Sequence, residues 1–496
     1  MKVVAVDLGA SGGRVLTATF SGADAACRLE VEETHRFPHG PLALPQDNGE
    51  TLHWNVFQLW SEILDGLRHV GTAHGRPDSI GVDTWGDDFA LLDQDGRLLG
   101  CPVCYRDRRA EGMIERACGR MSRENIFRST GMQFMTPNAL YHLMGMVAHR
   151  SPLLRGADRF LMMPDLFHYW LCGSKTGEYT NASITQMLDA TTRQWDRKLL
   201  DRLGVPHHFL PELNEPGAHL GTLRSSVADE TRLPADVPII CPATHDTAAA
   251  VAATPGQGQD WAFLSAGTWC LFGAEVDRPY LDPSVLRAGF GNEGGVRGTI
   301  RLLRNITGLW LVQECRRQWS REGHEYSYAE LTQLAADAPP FLAMVDPDAP
   351  AYAQPTRMAH AIAEYCSRTE QPVPGTPGEF VRCCLESIAL TVRLRWEQLH
   401  VILGRRLSVL HMVGGGVQNT LLCQFIANAI GVPVVAGPVE ATAMGNALIQ
   451  GIGLGALDYD AAREITRRST VLVEYTPQET AAWDDHYARF LERRGG

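Results

Sequence analysis

No stretch of this chain reaches the roughly 18 apolar residues that a membrane-crossing helix needs. The longest candidates, such as Phe160-Leu161-Met162-Met163, are broken by charge within a few residues. Met1-Lys2 leads through the short run Val3 to Asp7, which is too brief for the core of a secretion signal. A cytoplasmic location is the expectation. Positive charge is also in short supply: the formal net charge is −12. A partner bound through its phosphate backbone wants a basic face, so nucleic acid is excluded as an expected partner. A small anionic ligand is not, because backbone amides and a metal ion can hold one locally. The 12 cysteines are scattered. Cys101-Pro102-Val103-Cys104 lacks a second pair at zinc-site spacing, with Cys118 alone nearby, so ordinary reduced thiols are expected. No lysine follows Gly414-Gly415-Gly416, so there is no Walker A loop, and the dinucleotide pattern G-x-G-x-x-G is absent there too. Low-complexity segments and short-period repeats are also missing.

What is present is ordinary in composition, with 45% hydrophobic and 21% charged residues. A chain of 496 residues exceeds one compact core, so two domains are expected. The most informative segment is the first. Val3-Val4-Ala5-Val6 is an apolar, β-branched run ending in Asp7. The turn Gly9-Ala10-Ser11-Gly12-Gly13 follows, and after Arg14 the run Val15 to Phe20 returns. This reads as a strand, a tight turn and a second strand. Bare backbone, a carboxylate and a cation together suit a metal-bound polyphosphate, although a plain hairpin would use the same glycines.

Strands and helices then alternate. Leu52 to Val70 has helical spacing, with Val56, Trp60, Ile63, Leu67 and Val70 on one face. Ser79 to Trp85 and Phe89 to Asp93 read as strands. Phe160 to Cys172 holds a strand end and a helix, and Pro238 to Cys241 is a short strand. From Trp261 the opening pattern restarts in plan, though not in sequence: an apolar strand, the small-residue turn Ser265-Ala266-Gly267-Thr268, and a return through Cys270 to Gly273. Phe380 to Gly404 is a long helix striped by Val381, Leu385, Ile388, Val392 and Leu399. Strand Leu407 to Val413 leads into the triple glycine, followed by a helix from Asn419 to Ile430. A small-residue helix spans Glu440 to Gly451. Ala338 to Pro355 is proline-rich and reads as an irregular excursion.

Three constellations could carry chemistry. Thr244-His245-Asp246-Thr247 sits at a strand-to-helix junction, where Asp246 is either a general base for a hydroxyl or an N-cap. His245 either orients a sugar hydroxyl or satisfies a buried hydrogen bond. Gly414-Gly415-Gly416 either lets a flat or anionic ligand approach or packs a strand against a helix. Gly81 to Asp88, with Tyr105-Arg106-Asp107, offers directional polar groups and an aromatic wall. Asp87 and Asp88 individually read better as solvated carboxylates.

Taken in order, Asp7-Leu8-Gly9 with Arg14, Asp83-Thr84-Trp85-Gly86, His245-Asp246-Thr247, Ser265 to Trp269 and Gly414-Gly415-Gly416 resemble the FGGY carbohydrate kinases. His35-Arg36-Phe37, Met163-Pro164-Asp165, Asn292-Glu293-Gly294-Gly295, Asn305 to Trp310 and Gly437 to Ala441 extend the resemblance, which runs from residue 3 to about residue 450. It implies an α/β protein of two actin/hexokinase-like (ribonuclease H-like) domains around a central cleft, expected at 1–246 and 247–496. It implies ATP and Mg2+ as cofactors and a small ketose as substrate, phosphorylated on its 1-hydroxyl. L-rhamnulose is expected ahead of L-fuculose, L-ribulose or D-xylulose. Carried over by motif, Asp246 is the base, and Gly86, His245, Asp246 and Thr247 contact the sugar. Ala10, Ser11, Gly12, Gly13, Arg14 and Thr268 face the phosphates. Asn305, Gln313 and Gly415 belong to the nucleotide site, and Asp7 helps hold magnesium through water. Asp87 departs from the apolar residue often found there in the most similar branch, and Ile426 and Ile430 replace paired cysteines of some relatives. A monomer or homodimer is expected. An actin-like, non-catalytic nucleotide switch is the remote alternative.

Overall fold

A computed structural model describes residues 1–22, 26–47, 49–352 and 357–494. The chain divides into two compact units. The first comprises Met1–Ala253, Glu275–Leu302 and Glu440–Ser469, and the second Thr254–Ala274, Leu303–Val439 and Thr470–Gly496.

The first unit is built on the strands β1 (Lys2–Gly9), β2 (Gly12–Ser21), β3 (Arg28–Pro38), β4 (Ser79–Thr84), β5 (His219–Thr222) and β6 (Pro238–Ile240), ordered β5-β6-β4-β1-β2-β3. The apolar run at the N-terminus is central because both of its faces are covered. Val4, Val6 and Leu8 pack with Ile63, Leu67 and Val70 of the helix Val56–Ala73. Val3, on the other face, packs with Ala447 and Leu448 of the helix Ala441–Gly453. A strand buried on both sides needs apolar residues at consecutive positions, not alternate ones.

The second sheet uses β7 (Trp261–Ala266), β8 (Trp269–Val276), β9 (Gly291–Gly294), β10 (Ile300–Thr307), β11 (Val409–Val413), β12 (Val434–Ala436) and β13 (Val473–Tyr475), ordered β9-β10-β8-β7-β11-β12-β13. The two sheets repeat one pairing scheme. In the first, β2·β1 is antiparallel, β1·β4 and β4·β6 are parallel, and β6·β5 is antiparallel. In the second, β8·β7 is antiparallel, β7·β11 and β11·β12 are parallel, and β12·β13 is antiparallel. The restart read at Trp261 is thus a repeat of topology. The long helix, Pro377–Leu403, begins at a Thr376/Glu379 capping box and ends at Gly404 with φ 65°.

Several local expectations are corrected. Leu52 to Trp54 belong to the strand Gly49–Trp54, paired with Pro41–Gln46, and the helix starts at Val56 behind the cap Asn55. The triple glycine runs into a short 3-10 turn, Gly415–Gln418, before the helix Thr420–Ile430 capped by Asn419. The excursion from Ala338 is irregular apart from a 3-10 turn at Pro350–Tyr352, and its residues 353–355 lie outside the described ones.

Candidate active site

In the first unit the carboxyl ends of β1 and β4 bring acidic groups together by register. Asp7 stands opposite Arg14 on β2 and beside Asp83 on β4. Arg14 Nη2 pairs with Asp7 Oδ2 at 2.6 Å, and its Nη1 pairs with Glu440, the cap of the helix Ala441–Gly453. Asp83 is fully buried, and its Oδ2 accepts from Asn446 Nδ2 at 2.6 Å. Burial, then the negative charge of Asp7, push the Asp83 carboxyl well above its ordinary value.

The sheet is continued past β6 by Thr244 and His245. Thr84 N–H donates to the Thr244 carbonyl at 2.9 Å, and Thr84 bridges to His245. Buried Glu178 fixes this segment. Its Oε2 accepts from Thr244 N at 3.1 Å and from the Thr244 and Thr180 hydroxyls, each at 2.6 Å, and its Oε1 accepts from Thr180 N at 2.7 Å. Thr180 in turn takes the His245 N–H at 3.3 Å.

His245 is the N-cap of the helix Asp246–Ala252 and Asp246 is its first residue, so the reading of Asp246 as a cap is corrected. The Asp246 Oδ1 accepts from the neighbouring Thr247 N–H and hydroxyl. Burial, then the charge of Asp7, push this carboxyl up to about 6. His245 Nε2 lies 3.5 Å from Asp246 Oδ1, while its Nδ1 lies 3.0 Å from Arg301 Nη2. Burial, then Arg301, hold the imidazole well below its ordinary value and therefore neutral.

Gly86 completes this corner. A Cβ there would stand 2.1 Å from Ile184 Cδ1 and 3.2 Å from His245 Nε2. Of the neighbouring carboxylates Asp88 is buried, which corrects the expectation of a solvated group there, while Asp87 is half-buried. Asp88 Oδ2 accepts from the indole N–H groups of Trp54 at 2.5 Å and Trp85 at 2.7 Å, and burial pushes its carboxyl up to about 8. Asp87 sits at φ 75°; burial, followed by the charges of Asp88, Glu293 and Asp246, raises it well above the carboxylate range.

In the second unit the turn after β7 is gripped by the start of the helix Trp310–Arg321. Gly308 N and Trp310 N donate to the Thr268 carbonyl, and Leu309 N to that of Gly267. Gly308 is needed for this approach, because a Cβ there would meet Cys270 N and Gly267 O, each at 2.9 Å. Thr268 Oγ1 donates to Gln313 Oε1 at 3.1 Å. Thr268, Gln313 and Gly415 line one cleft of about 910 Å3, walled by Leu309, Val312 and Tyr328. A mostly apolar cleft with a few convergent polar groups suits a flat heterocycle carrying a polar tail.

The structure thus gathers Gly86, His245, Asp246 and Thr247 in one corner of the first unit, with Asp7 acting on Asp246 through its charge. It puts Ala10 and Ser11 at the β1–β2 turn, with Gly12, Gly13 and Arg14 opening β2. Asn305 lies on β10 and is not among the residues lining the second unit's cleft. Sequence reasoning passed over Glu178 and Arg301. Glu178 carries no local signal beyond preceding the helix Tyr179–Ser183, but a cation inside the apolar run Ile300-Arg301-Leu302-Leu303 was a visible anomaly.

Two sheets of one plan, a half-buried carboxyl at a helix start and a cleft of about 910 Å3 in the second unit are the parts that the comparison with known families joins. The chain belongs to the FGGY family of carbohydrate kinases: its residues 3–252 match the family's N-terminal domain and residues 262–454 its C-terminal domain. It is accordingly an enzyme that uses ATP to phosphorylate a sugar hydroxyl. It is 42% identical to a rhamnulokinase of Bacteroides thetaiotaomicron, over 98% of each chain. It is 40% identical to a rhamnulokinase of Pectobacterium carotovorum over 99% of this chain and 96% of that one. In fold it is similar to a ligand-bound xylulose kinase from Lactobacillus acidophilus (TM-score 0.80, 17% identity, 100% and 98% of the two chains covered). A glycerol kinase with ADP from Plasmodium falciparum is similar too (TM-score 0.76, 16% identity, 99% and 98% covered). Among the described residues no helix is long and apolar enough to cross a membrane.

Proposed function

We propose that this chain transfers the γ-phosphoryl group of ATP to the 1-hydroxyl of L-rhamnulose, giving L-rhamnulose 1-phosphate and ADP. The observation that carries the reading is the Asp246 carboxyl, which opens a helix beside a neutral histidine and is raised to about 6. That value suits a base working near neutral pH. Near-full-length likeness to two rhamnulokinases supports L-rhamnulose as the acceptor. Asp246 accepts the O1 proton as that oxygen attacks the γ-phosphorus in line. The O1–P bond forms, the bond from phosphorus to the β,γ-bridging oxygen breaks, and ADP leaves.

Gly86, His245 and Thr247 hold the ketose beside Asp246. Ala10 to Arg14 and Thr268 offer phosphate contacts, and Asn305, Gln313 and Gly415 serve the nucleotide. Asp7 is the residue that would hold magnesium, through water. Its charge raises both Asp83 and Asp246, and a hard cation with oxygen donors relieves such an acidic surplus. Magnesium bound with ATP supplies charge neutralisation at the β- and γ-phosphate oxygens.

Phosphorus-31 NMR of the reaction with L-rhamnulose tests the proposal. A new phosphomonoester coupled to two methylene protons is expected. A phosphate on a secondary carbon would overturn the site of transfer, and no ester at all would overturn the substrate.

A further inference from the structure

Arg301 is wholly buried on β10, inside an otherwise apolar run, and no step above uses it. Its Nε donates to the Gly294 carbonyl at 2.8 Å, its Nη1 pairs with Glu293 Oε2 at 3.0 Å, and its Nη2 faces His245 Nδ1 at 3.0 Å. A guanidinium has donors only. A ring nitrogen within hydrogen-bond distance of it must therefore accept, and in a neutral imidazole the proton then sits on the other nitrogen. Glu293 Oε2 also lies near Nδ1 and would favour the opposite tautomer, but at 3.6 Å it is beyond hydrogen-bond reach while Arg301 is within it.

We infer that Arg301 is a positioning residue that locks His245 as the Nε2–H tautomer, so that the ring offers the substrate corner a donor and never an acceptor. The inference rests on the sugar-kinase reading, and it deepens the specificity of that same site. Nε2 is the His245 ring atom nearest the missing Gly86 side chain and stands 3.5 Å from Asp246 Oδ1. An N–H there meets an oxygen lone pair of the ketose and does not repel the base. The reversed tautomer would put a ring lone pair against the carboxylate. Glu293 keeps the arrangement neutral overall: its charge offsets that of Arg301, so the cation orients the ring without drawing a proton from the corner.

Nitrogen-15 NMR of the enzyme labelled at histidine reads the tautomer directly, with His245→Gln used to assign the signal. This readout needs no substrate, so it stands or falls separately from the sugar-kinase reading. In the wild type Nε2 is expected to carry the proton. In Arg301→Met paired with Glu293→Gln, which removes the donor without stranding a buried charge, the Nδ1–H form becomes populated. Arg301→Lys, which keeps one donor, restores part of the Nε2–H signal. Kinetically, the paired variant raises KM for the ketose about 3- to 10-fold, the worth of one neutral hydrogen bond, and leaves KM for ATP unchanged. A wild-type signal from Nδ1–H would overturn the inference. So would a paired variant that folds and retains the pure Nε2–H form.

Discussion

Asp246→Asn separates chemistry from binding. The amide keeps the shape of the carboxyl and one acceptor for the Thr247 N–H and hydroxyl, but it cannot take the O1 proton. General-base catalysis is worth about 10²–10⁴-fold, so kcat should fall by that factor while ATP still binds, read by ADP release and by calorimetry. The same substitution should not weaken the fold. The Asp246 carboxyl is raised from 3.8 to about 6, so folding retains a proton there that the unfolded chain has lost. The ionised side chain therefore opposes folding above pH 6, progressively less between pH 6 and 4, and not at all below 4. A two-unit shift is about 3 kcal/mol at full burial. The side chain keeps 31% of its surface exposed, so solvent screening cuts this to about 1–2 kcal/mol. Asp246→Asn should then melt at or above the wild-type temperature at pH 7.5, with the difference vanishing near pH 4. A variant with turnover within tenfold of wild type would refute the assignment of the base. One that melts lower at pH 7.5 would refute the electrostatic reasoning.

Further predictions follow from the close approaches and the buried acceptor. Gly86→Ala puts a methyl against the movable Ile184 Cδ1 and beside His245 Nε2, so KM for the ketose should rise while KM for ATP stays level; an unchanged ketose KM would take Gly86 away from the sugar. Gly308→Ala meets backbone on two sides, Cys270 N and Gly267 O, and overpacking of about 1–3 kcal/mol displaces the Thr268 turn. Its expected signature is the converse, a raised KM for ATP alone in steady-state assays. Glu178→Gln turns one of two filled acceptor oxygens into a donor facing N–H or O–H groups, a loss of about 2–4 kcal/mol. It should lower both the melting temperature and kcat, because Thr244 and Thr180 hold His245 in place.

Much of the fold was legible because it is written in periods. The consecutive apolar residues of β1, the stripe of Pro377–Leu403 and the restart at Trp261 each announce a buried strand, a half-buried helix or a repeated hairpin. The errors have physical reasons. Leu52 to Trp54 read as part of the helix that follows, but the Trp54 indole is committed to Asp88, which lies 34 residues away and is invisible to a local window. The same partner makes Asp88 a buried acceptor where a strand end with two adjacent carboxylates suggested solvent. Asp246 looks like a cap because aspartate favours that position, yet the backbone of His245 already occupies it, extended by its bridge to Thr84. Of the candidate corner, the residues that touch it were legible as motifs. Glu178 and Arg301 hold it from behind; Glu178 was not legible, since a single buried charge has no periodicity, and Arg301 showed only as a cation in an apolar run, with nothing local to name its partners. The return of residues 440–469 to the first unit is likewise a tertiary fact, carried by the packing of Ala447 and Leu448 with Val3.

The central claim is ATP-dependent phosphorylation of one particular ketose, and the most direct measurement is kcat/KM from ADP release with ATP and magnesium across L-rhamnulose, L-fuculose, L-ribulose, D-xylulose, glycerol and no sugar. The account predicts the highest value for L-rhamnulose and only background release without sugar. A higher value for another ketose would contradict the substrate, and release that no sugar stimulates would contradict the account as a whole.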